Sequence, residues 1–246
     1  MIPFFRKFER TAPAVAVAGL VLALGAALVS GVPTVSAREE AVKIPPPAVD
    51  GKAGGGLETV ILAGGCFWGV QGVFQHVEGV EGAVSGYAGG SKDDPTYYEV
   101  SSGTTGHAEA VEIRFDPAKI SYGRLLQIFF SVAHNPTQLD YQGPDHGTQY
   151  RSAIFPTSDE QKKVAEAYVA QLDRTGLFRQ PIVTRIEPAA KFYPAEDYHQ
   201  DYATIHPSQP YIVYNDLPKI ANLKATFPEV WREEPKLVFA ANAPRS

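Results

Sequence analysis

The residue best suited to covalent chemistry is Cys66, the only cysteine of the chain. It stands in the run Gly64-Gly65-Cys66-Phe67-Trp68-Gly69, between a short β-rich stretch and apolar residues at helical spacing. A cysteine in the first turn of a helix faces unpaired N–H groups and the positive end of the helix dipole, which favour a thiolate. We therefore expect a nucleophile here, with glycines that admit a ligand and aromatic rings that form an apolar wall.

Other interpretations of this run remain open on the residues alone. A lone cysteine is often a small buried hydrophobe, and an inert Cys66 is as well supported as a reactive one. A phosphate-binding loop is disfavoured, because the run has neither three glycines at dinucleotide spacing nor the Lys-Ser/Thr of a P-loop.

Glu109 is a candidate general acid. Period-two geometry places its carboxyl on the same face of a predicted strand as Val111 and Ile113. Burial on that face raises the pKa of a carboxyl, and a general acid must stay protonated near neutrality. A salt bridge with Arg114 or Arg151 is the alternative, and it would make Glu109 structural.

Two tyrosines and six histidines are the remaining candidates. Tyr97 and Tyr150 lie in turn-rich stretches, where their hydroxyls could donate to a polar substrate oxygen or simply pack at the surface. The histidines form no HExxH helix and no cysteine–histidine cluster with zinc-ligand spacing, so no metal site is predicted.

Alternating strands and helices must position these residues. The pattern predicts strands over 59–63, 80–87, 108–115, 148–155 and 181–186. Helices are predicted to follow Cys66, to begin at a Ser121 cap, and to run from a Ser158 capping box to about Thr175. Beyond Pro194 we expect a loop-rich wrap with short helices. The fold class is α+β, a mixed sheet with packed helices and the cysteine at the N-terminus of the first core helix.

Residues 1–37 have the pattern of a targeting segment, with early basic residues, an apolar run over 14–32 and a small-residue cleavage site at 35–37. The apolar run is also long enough for an uncleaved membrane anchor. The segment is predicted to be one or the other, and the rest of the chain to be exported, either periplasmic or anchored facing the periplasm. Residues 38–56, rich in Pro, Gly and Ala, are predicted to be a flexible linker that buries little.

Composition excludes some functions. The net charge is −5 and the chain has no run of basic residues, so nucleic acid is not an expected partner. With 44% hydrophobic and 20% charged residues, one catalytic domain is expected.

The run around Cys66 resembles the active-site signature of the A-type peptide methionine sulfoxide reductases. Further stretches resemble this family in the same order, namely 86–90, 94–97, 103–111, 145–152 and 195–200. The resemblance extends over 57–216, which is the predicted reductase domain. Residues 217–246 are predicted to be a C-terminal extension.

The resemblance implies reduction of methionine-S-sulfoxide, free or in oxidised proteins, for protein repair. It implies no metal, flavin or nucleotide, because the oxygen ends on the cysteine as a sulfenic acid. The roles that it implies are nucleophile for Cys66, general acid for Glu109, hydroxyl donors for Tyr97 and Tyr150, support for Asp145, and substrate binding for Phe67, Trp68 and His199.

The chain departs from many members of that family in having no second cysteine. The stretch 211–216 contains none, and Ser101 stands where some relatives have one. The resemblance therefore implies an external thiol reductant, such as a thioredoxin-like or glutaredoxin-like protein or a small thiol. We expect no prosthetic cofactor and a monomer.

Two rival functions remain. One is a cysteine hydrolase in which His107 or His199 acts as the base for Cys66. The other is an exported binding domain with an inert cysteine.

Overall fold

The computed structural model describes residues 40–51 and 55–239. The strands are β1 (Glu58–Gly64), β2 (Val80–Ala88), β3 (Ala108–Phe115), β4 (Tyr141–Gln142), β5 (Asp145–His146), β6 (Ser152–Phe155), β7 (Arg185–Ile186) and β8 (Tyr193–Pro194). The α-helices are α1 (Phe67–Gln75), α2 (Tyr97–Ser101), α3 (Tyr122–Ile128), α4 (Asp159–Thr175), α5 (Tyr202–Ile205) and α6 (Leu217–Thr226). Short 3-10 turns cover Thr148–Tyr150, Asp197–His199 and Pro228–Val230, and π-helical turns cover Phe129–Ala133 and Ile212–Asp216.

The main sheet has the strand order β7-β6-β1-β3-β2-β8. Its neighbours pair antiparallel except β6 and β7, which are parallel. Strands β4 and β5 form a separate hairpin. The predicted α+β class with a mixed sheet is therefore confirmed, and Cys66 stands at the N-cap of α1, the first core helix.

The two faces of the sheet differ in the size of their side chains. On one face the cross-strand partners Leu62 and Val111 are fully buried in the large core that includes α1. On the other face Ala63, Ala108 and Ala110 belong to a small cluster. Because side chains alternate along a strand, Glu109 shares the large-core face with Val111 and thus points toward the side that carries Cys66.

The predicted helix starts are confirmed by their caps. The Ser121 hydroxyl accepts a 3.1 Å hydrogen bond from the N–H of Arg124, and Ser158 accepts one of 3.2 Å from Gln161. Helix α4 ends at Thr175. These caps satisfy N–H groups that have no partner within the helix.

Two predicted strands are shorter than expected. Within 148–155 only Ser152–Phe155 is a strand, because the preceding residues close a turn in which Tyr150 N–H donates to the Gly147 carbonyl. Within 181–186 only Arg185–Ile186 pairs, since the Val183 N–H donates to the Pro136 carbonyl of a loop. Alternating polarity does not reveal which backbone group a strand will meet. Helix α2 and the β4–β5 hairpin were not predicted.

The prediction of a linker that buries little is wrong for residues 40–51. Ile44 is 4% exposed and belongs to the core. The Pro45 carbonyl accepts a 2.7 Å bond from the Tyr168 hydroxyl, and the Asp50 carboxylate accepts a 2.8 Å bond from the Gly123 N–H at the start of α3. Proline and alanine carry carbonyls and apolar surface, so such a segment can pack along neighbouring helices. Residues 40–51 form an extended segment of this kind, called here the strap. Residues 38, 39 and 52–54 of the predicted linker lie outside the described residues.

The predicted domain end at residue 216 is also wrong. Helix α6 packs on α1, where a Cβ on Gly72 would come within 2.9 Å of Ile220. Leu223 and Phe227 are buried in the core. The domain therefore continues through α6, which closes the apolar face of α1 with residues that the signature motifs do not include.

Candidate active site

Cys66 stands at the turn between β1 and α1. Gly65 has φ +89°, and a Cβ there would lie 2.5 Å from Cβ of Gln142. The Gln142 amide is held in turn by Asn135, whose N–H donates to Oε1 at 3.0 Å and whose carbonyl accepts from Nε2 at 2.8 Å. Glycine is thus required before the cysteine both for its backbone angle and for this close approach.

The structure corrects the expectation that the resting Cys66 is a thiolate. Its side chain is 8% exposed. Burial, followed by the charges of Glu109 and Asp216, raises the pKa of the thiol well above its ordinary value, although a hydrogen bond from the Trp68 N–H lowers it. The helix N-terminus therefore acts in the expected direction, but loss of solvent and nearby carboxylates outweigh it.

Glu109 is held at the start of α1, where Cys66 stands. Its Oε2 accepts a 3.1 Å hydrogen bond from the backbone N–H of Phe67, and the residue is 2% exposed. Burial raises the pKa of Glu109 to about 8 despite that hydrogen bond, and the charges of Asp145 and Asp216 add to the rise. The expected rise in pKa is confirmed, and the carboxyl is neutral at pH 7.

Glu109 does not form the alternative salt bridge with Arg151. Arg151 pairs instead with Glu187, with 2.7 Å between Nε and Oε1. Arg114 is exposed, whereas Glu109 is buried. Glu109 is thus held as a neutral buried acid rather than as half of an ion pair.

Tyr97 and Tyr150 lie in the same electrostatic neighbourhood. Tyr97 opens α2 and Tyr150 closes the 3-10 turn before β6. Burial first and the charge of Glu109 second raise the pKa of both phenols, and the Cys66 charge contributes to each rise. Both hydroxyls therefore stay protonated and can donate a hydrogen bond.

Asp145 stands in the β4–β5 hairpin and accepts a hydrogen bond from the hydroxyl of Tyr211. Burial raises the pKa of Asp145, against that bond and the charge of Lys219. Sequence reasoning did not single out Tyr211. It lies in the aperiodic C-terminal stretch, where only its aromatic character could have drawn attention.

Phe67 and Trp68, the aromatic side chains after Cys66, form an aromatic wall that is held by contacts with neighbouring rings. Trp68 stacks on Tyr202 with 3.9 Å between ring centroids, and its Nε1–H donates to Nδ1 of His199 at 3.2 Å. The His199 ring lies 5.1 Å from Phe67 and 4.4 Å from Tyr97. Burial lowers the pKa of His199 to about 4, so it is neutral at pH 7.

Asp216 is a second residue that the sequence did not single out. It is fully buried, and its Oδ1 would lie 2.3 Å from a Cβ on Gly69 in α1. Lys219 lies 3.8 Å away, and the Asp216 charge raises the pKa of both Cys66 and Glu109. No local motif marks it, because its position next to the cysteine arises only when α6 folds back on α1.

The histidines that a hydrolase would need are engaged elsewhere. His107 Nδ1 accepts from the Gly90 N–H at 3.2 Å, and its Nε2 lies 2.8 Å from the Lys92 carbonyl. His199 accepts from Trp68 through Nδ1, which leaves its proton on Nε2. Neither arrangement is that of a base bonded to the thiol.

Within residues 40–51 and 55–239, no group of three or more His, Cys, Asp or Glu side chains could hold a metal ion. In the same ranges, none of the helices has the length and hydropathy needed to cross a membrane. The predicted targeting segment, residues 1–37, lies outside the part of the chain that the structure describes.

The sequence matches a family model described as peptide methionine sulfoxide reductase over residues 58–230. It is 63% identical over 194 residues to the peptide methionine sulfoxide reductase MsrA 2 of Mesorhizobium japonicum, which covers 79% of this chain and 100% of that protein. It is 46% identical over 213 residues to MsrA 2 of Synechocystis sp., covering 85% of this chain and 96% of that one.

Two solved structures are similar to this fold. Methionine sulfoxide reductase A of Corynebacterium diphtheriae is 37% identical with a TM-score of 0.54, over 67% of this chain and 82% of that chain. Mxr1 from Saccharomyces cerevisiae in its reduced form is 35% identical with a TM-score of 0.56, over 62% of this chain and 87% of that chain.

Proposed function

This chain belongs to the peptide methionine sulfoxide reductase family, whose members are oxidoreductases that reduce methionine sulfoxide, and we propose that it acts through Cys66 and Glu109. The observation that carries the proposal is the hydrogen bond of 3.1 Å from the Phe67 N–H to Glu109. It holds a carboxyl with a pKa of about 8 next to the only cysteine of the chain. A neutral acid is thereby available where oxygen must leave a sulfoxide.

The reaction balances without a cofactor. The Cys66 sulfur bonds to the sulfoxide sulfur while Glu109 protonates the sulfoxide oxygen, and the thiol proton restores the Glu109 carboxyl. The hydroxyl then passes to the Cys66 sulfur as the S–O bond of the substrate and the transient S–S bond both break. The products are methionine and a cysteine sulfenic acid. Because the resting thiol is neutral, it must lose its proton as it attacks.

Substrate recognition is assigned to the groups around this pair. Tyr97 and Tyr150 are proposed to donate to the sulfoxide oxygen, and Asp145, which accepts a hydrogen bond from Tyr211, to support the site. Donation to the oxygen from one fixed side favours one sulfoxide epimer, and family resemblance assigns this as the S epimer.

The apolar end of the substrate is assigned to the aromatic wall. Phe67 and Trp68 are proposed to receive the S-methyl group. His199 is proposed to contact substrate as well, since its Nε2 is buried without a partner among the described residues.

An external thiol is proposed to complete the cycle. Cys66 is the only cysteine, so its sulfenic acid must be attacked by a second molecule, a thioredoxin-like protein or a small thiol. A thiol of that molecule forms a mixed disulfide with Cys66, and its proton leaves with the sulfenic hydroxyl as water. A second thiol then reduces the mixed disulfide and returns Cys66 to the thiol.

Location and assembly are also proposals. The basic start and apolar run of residues 1–37 support export, with the catalytic domain periplasmic or anchored at the membrane facing the periplasm. We propose a monomer. Cell fractionation with N-terminal sequencing of the mature chain would test export, and light scattering would test the assembly.

The chemistry is tested by incubating the reduced enzyme with stoichiometric methionine-S-sulfoxide and measuring the protein's mass by mass spectrometry. We expect one added oxygen at Cys66, no addition in Cys66→Ser, and turnover only when dithiothreitol is supplied. Turnover by Cys66→Ser, or hydrolysis of acyl substrates without reductant, would contradict the proposal.

A further inference from the structure

Glu196 connects the start of helix α2 to strand β2 through hydrogen bonds of its carboxylate. It lies between β8 and the 3-10 turn Asp197–His199. Its Oε1 accepts a 2.9 Å hydrogen bond from the backbone N–H of Tyr97, and its Oε2 accepts a 2.9 Å bond from the hydroxyl of Tyr87. The Tyr87 ring lies 5.9 Å from that of Phe67, the residue that follows Cys66.

The helix that carries Tyr97 needs such support. Helix α2 has 5 residues, and isolated helices of that length are unstable in water. Its capping contact, from the Thr96 N–H to the Glu99 carboxylate at 3.0 Å, is internal and does not fix the helix relative to the sheet. The bond from Tyr97 to Glu196 supplies an anchor at the first turn of the helix, where an N–H has no partner of its own.

The backbone of Glu196 is itself fixed on the sheet. Strand β8 pairs with β2 through Gly86 and Pro194, and the Ala195 N–H donates to the Ser85 carbonyl at 2.9 Å. The same strand, β2, pairs Tyr87 with Glu109 of β3. Glu196 therefore relates the start of α2 to the strand that carries the proposed acid.

Glu196 is a charged acceptor. Burial works to raise its pKa, but hydrogen bonds from the Tyr97 N–H, its own N–H and the Tyr87 hydroxyl outweigh burial, and the pKa lies below its ordinary value. Hydrogen bonds to an ionised acceptor are the stronger kind.

We propose that Glu196 is a positioning residue, which holds Tyr97 at the distance from Cys66 and Glu109 that donation to the sulfoxide oxygen requires. This inference rests on the proposed role of the Tyr97 hydroxyl. Glu196 is proposed to act through Tyr97, whose backbone N–H donates to it.

A double-mutant cycle tests this, with kcat and KM measured for a methionine-S-sulfoxide peptide and dithiothreitol. We expect Glu196→Ala to lower kcat by about 10-fold, since misplacing a catalytic group by ~1 Å costs up to about 100-fold. Glu196→Gln retains an acceptor for the Tyr97 N–H and should stay within about 3-fold of the native enzyme. In a Tyr97→Phe background, Glu196→Ala should cost almost nothing further, because the hydroxyl that it positions is gone.

The control is Glu233→Ala. It also removes a hydrogen-bonded carboxylate, which accepts from the indole N–H of Trp231 and from the Lys224 ammonium, and it should leave kcat unchanged. Thermal unfolding checks that each variant folds, and Glu196→Asp, one methylene shorter, replaces Glu196→Ala in the cycle if the alanine variant does not.

An equal loss in both backgrounds would overturn the proposal, because Glu196 would then act by another route. A Tyr97→Phe enzyme with full activity would overturn it as well. If the native enzyme reduced no sulfoxide at all, in contrast, the proposed function itself would be contradicted.

Discussion

The backbone N–H of Phe67 donates to the carboxyl of Glu109 across 3.1 Å, so the first turn of α1 binds the proposed acid as well as presenting the nucleophile. The carboxyl nevertheless keeps a pKa of about 8, because burial costs the charged form more than one hydrogen bond returns. Nucleophile and acid are thus both neutral at rest.

Replacing Glu109 by Gln should lower kcat/KM by about 100-fold or more, which is the usual contribution of a general acid. The native enzyme should also lose kcat/KM as pH rises through about 8, since the acid must be protonated. A pH profile of both proteins checks this. The variant should lack that alkaline limb, and an unchanged limb in Glu109→Gln would assign it to another group.

Stability should depend on pH through the same residue. The folded pKa of Glu109 lies above its unfolded value, so its protonation stabilises the fold below about pH 4.5, and this contribution is lost as pH rises through about 8. Urea unfolding at several pH values should show the free-energy difference between native protein and Glu109→Gln shifting in favour of the variant from acid to alkaline pH. A difference that is constant with pH would contradict the assigned pKa.

The Cys66 thiol should react slowly with iodoacetamide at neutral pH, because only the thiolate is alkylated. Asp216→Asn keeps the shape of that side chain but removes a charge that raises the pKa of the thiol, so alkylation should accelerate. Glu229→Gln, at an exposed residue outside the site, is the matched control and should change nothing. Equal rates in both variants would contradict a role for Asp216 in the chemistry of Cys66.

Gly65→Ala should destabilise the fold by about 1–3 kcal/mol and reduce activity, because it combines a positive φ with a Cβ 2.5 Å from Gln142. Gly143→Ala is the matched control, since its φ is +54° and nothing lies within 4 Å of its Cβ. Chemical denaturation should give a smaller loss for Gly143→Ala, of about 1 kcal/mol. Equal losses would show that the positive φ alone, and not the close approach to Gln142, determines the loss of stability.

Asp50→Ala should cost about 0.5–2 kcal/mol of unfolding free energy, as loss of a helix cap does. Asp50 accepts from the Ser121 hydroxyl at 2.5 Å and from the Gly123 N–H at 2.8 Å, and so attaches the strap to α3. Glu40→Ala, in the same strap and exposed, should be neutral. No loss in Asp50→Ala would support the linker expected from composition.

Several features follow from the local order of residues. The helix caps at Ser121 and Ser158, the strand face of Glu109 and the turn before Cys66 are set by neighbours within a few positions, and the structure confirms each. The family resemblance, carried by short motifs, is confirmed by the match over residues 58–230.

Other features arise only from contacts distant in sequence. Composition predicts a linker over residues 38–56, but the carbonyls of Pro45 and Pro46 accept hydrogen bonds from side chains of α4, and this packing depends on that helix. Tyr211, Asp216 and Glu196 reach the site by folding of the C-terminal segment onto α1 and β2.

The sequence by itself identified the family, because short motifs from residues 64–69 to 195–200 resemble its signatures in the same order, whereas residue types and spacing alone left an inert Cys66 and a structural Glu109 open. Tertiary structure decided the protonation state of that thiol. Cys66 stands at a helix start that favours its anion, but the pKa is set by solvent exclusion and by carboxylates such as Asp216, which lies far along the chain. Electrostatic energy depends on distance in space and on burial, and neither can be read from order along the chain.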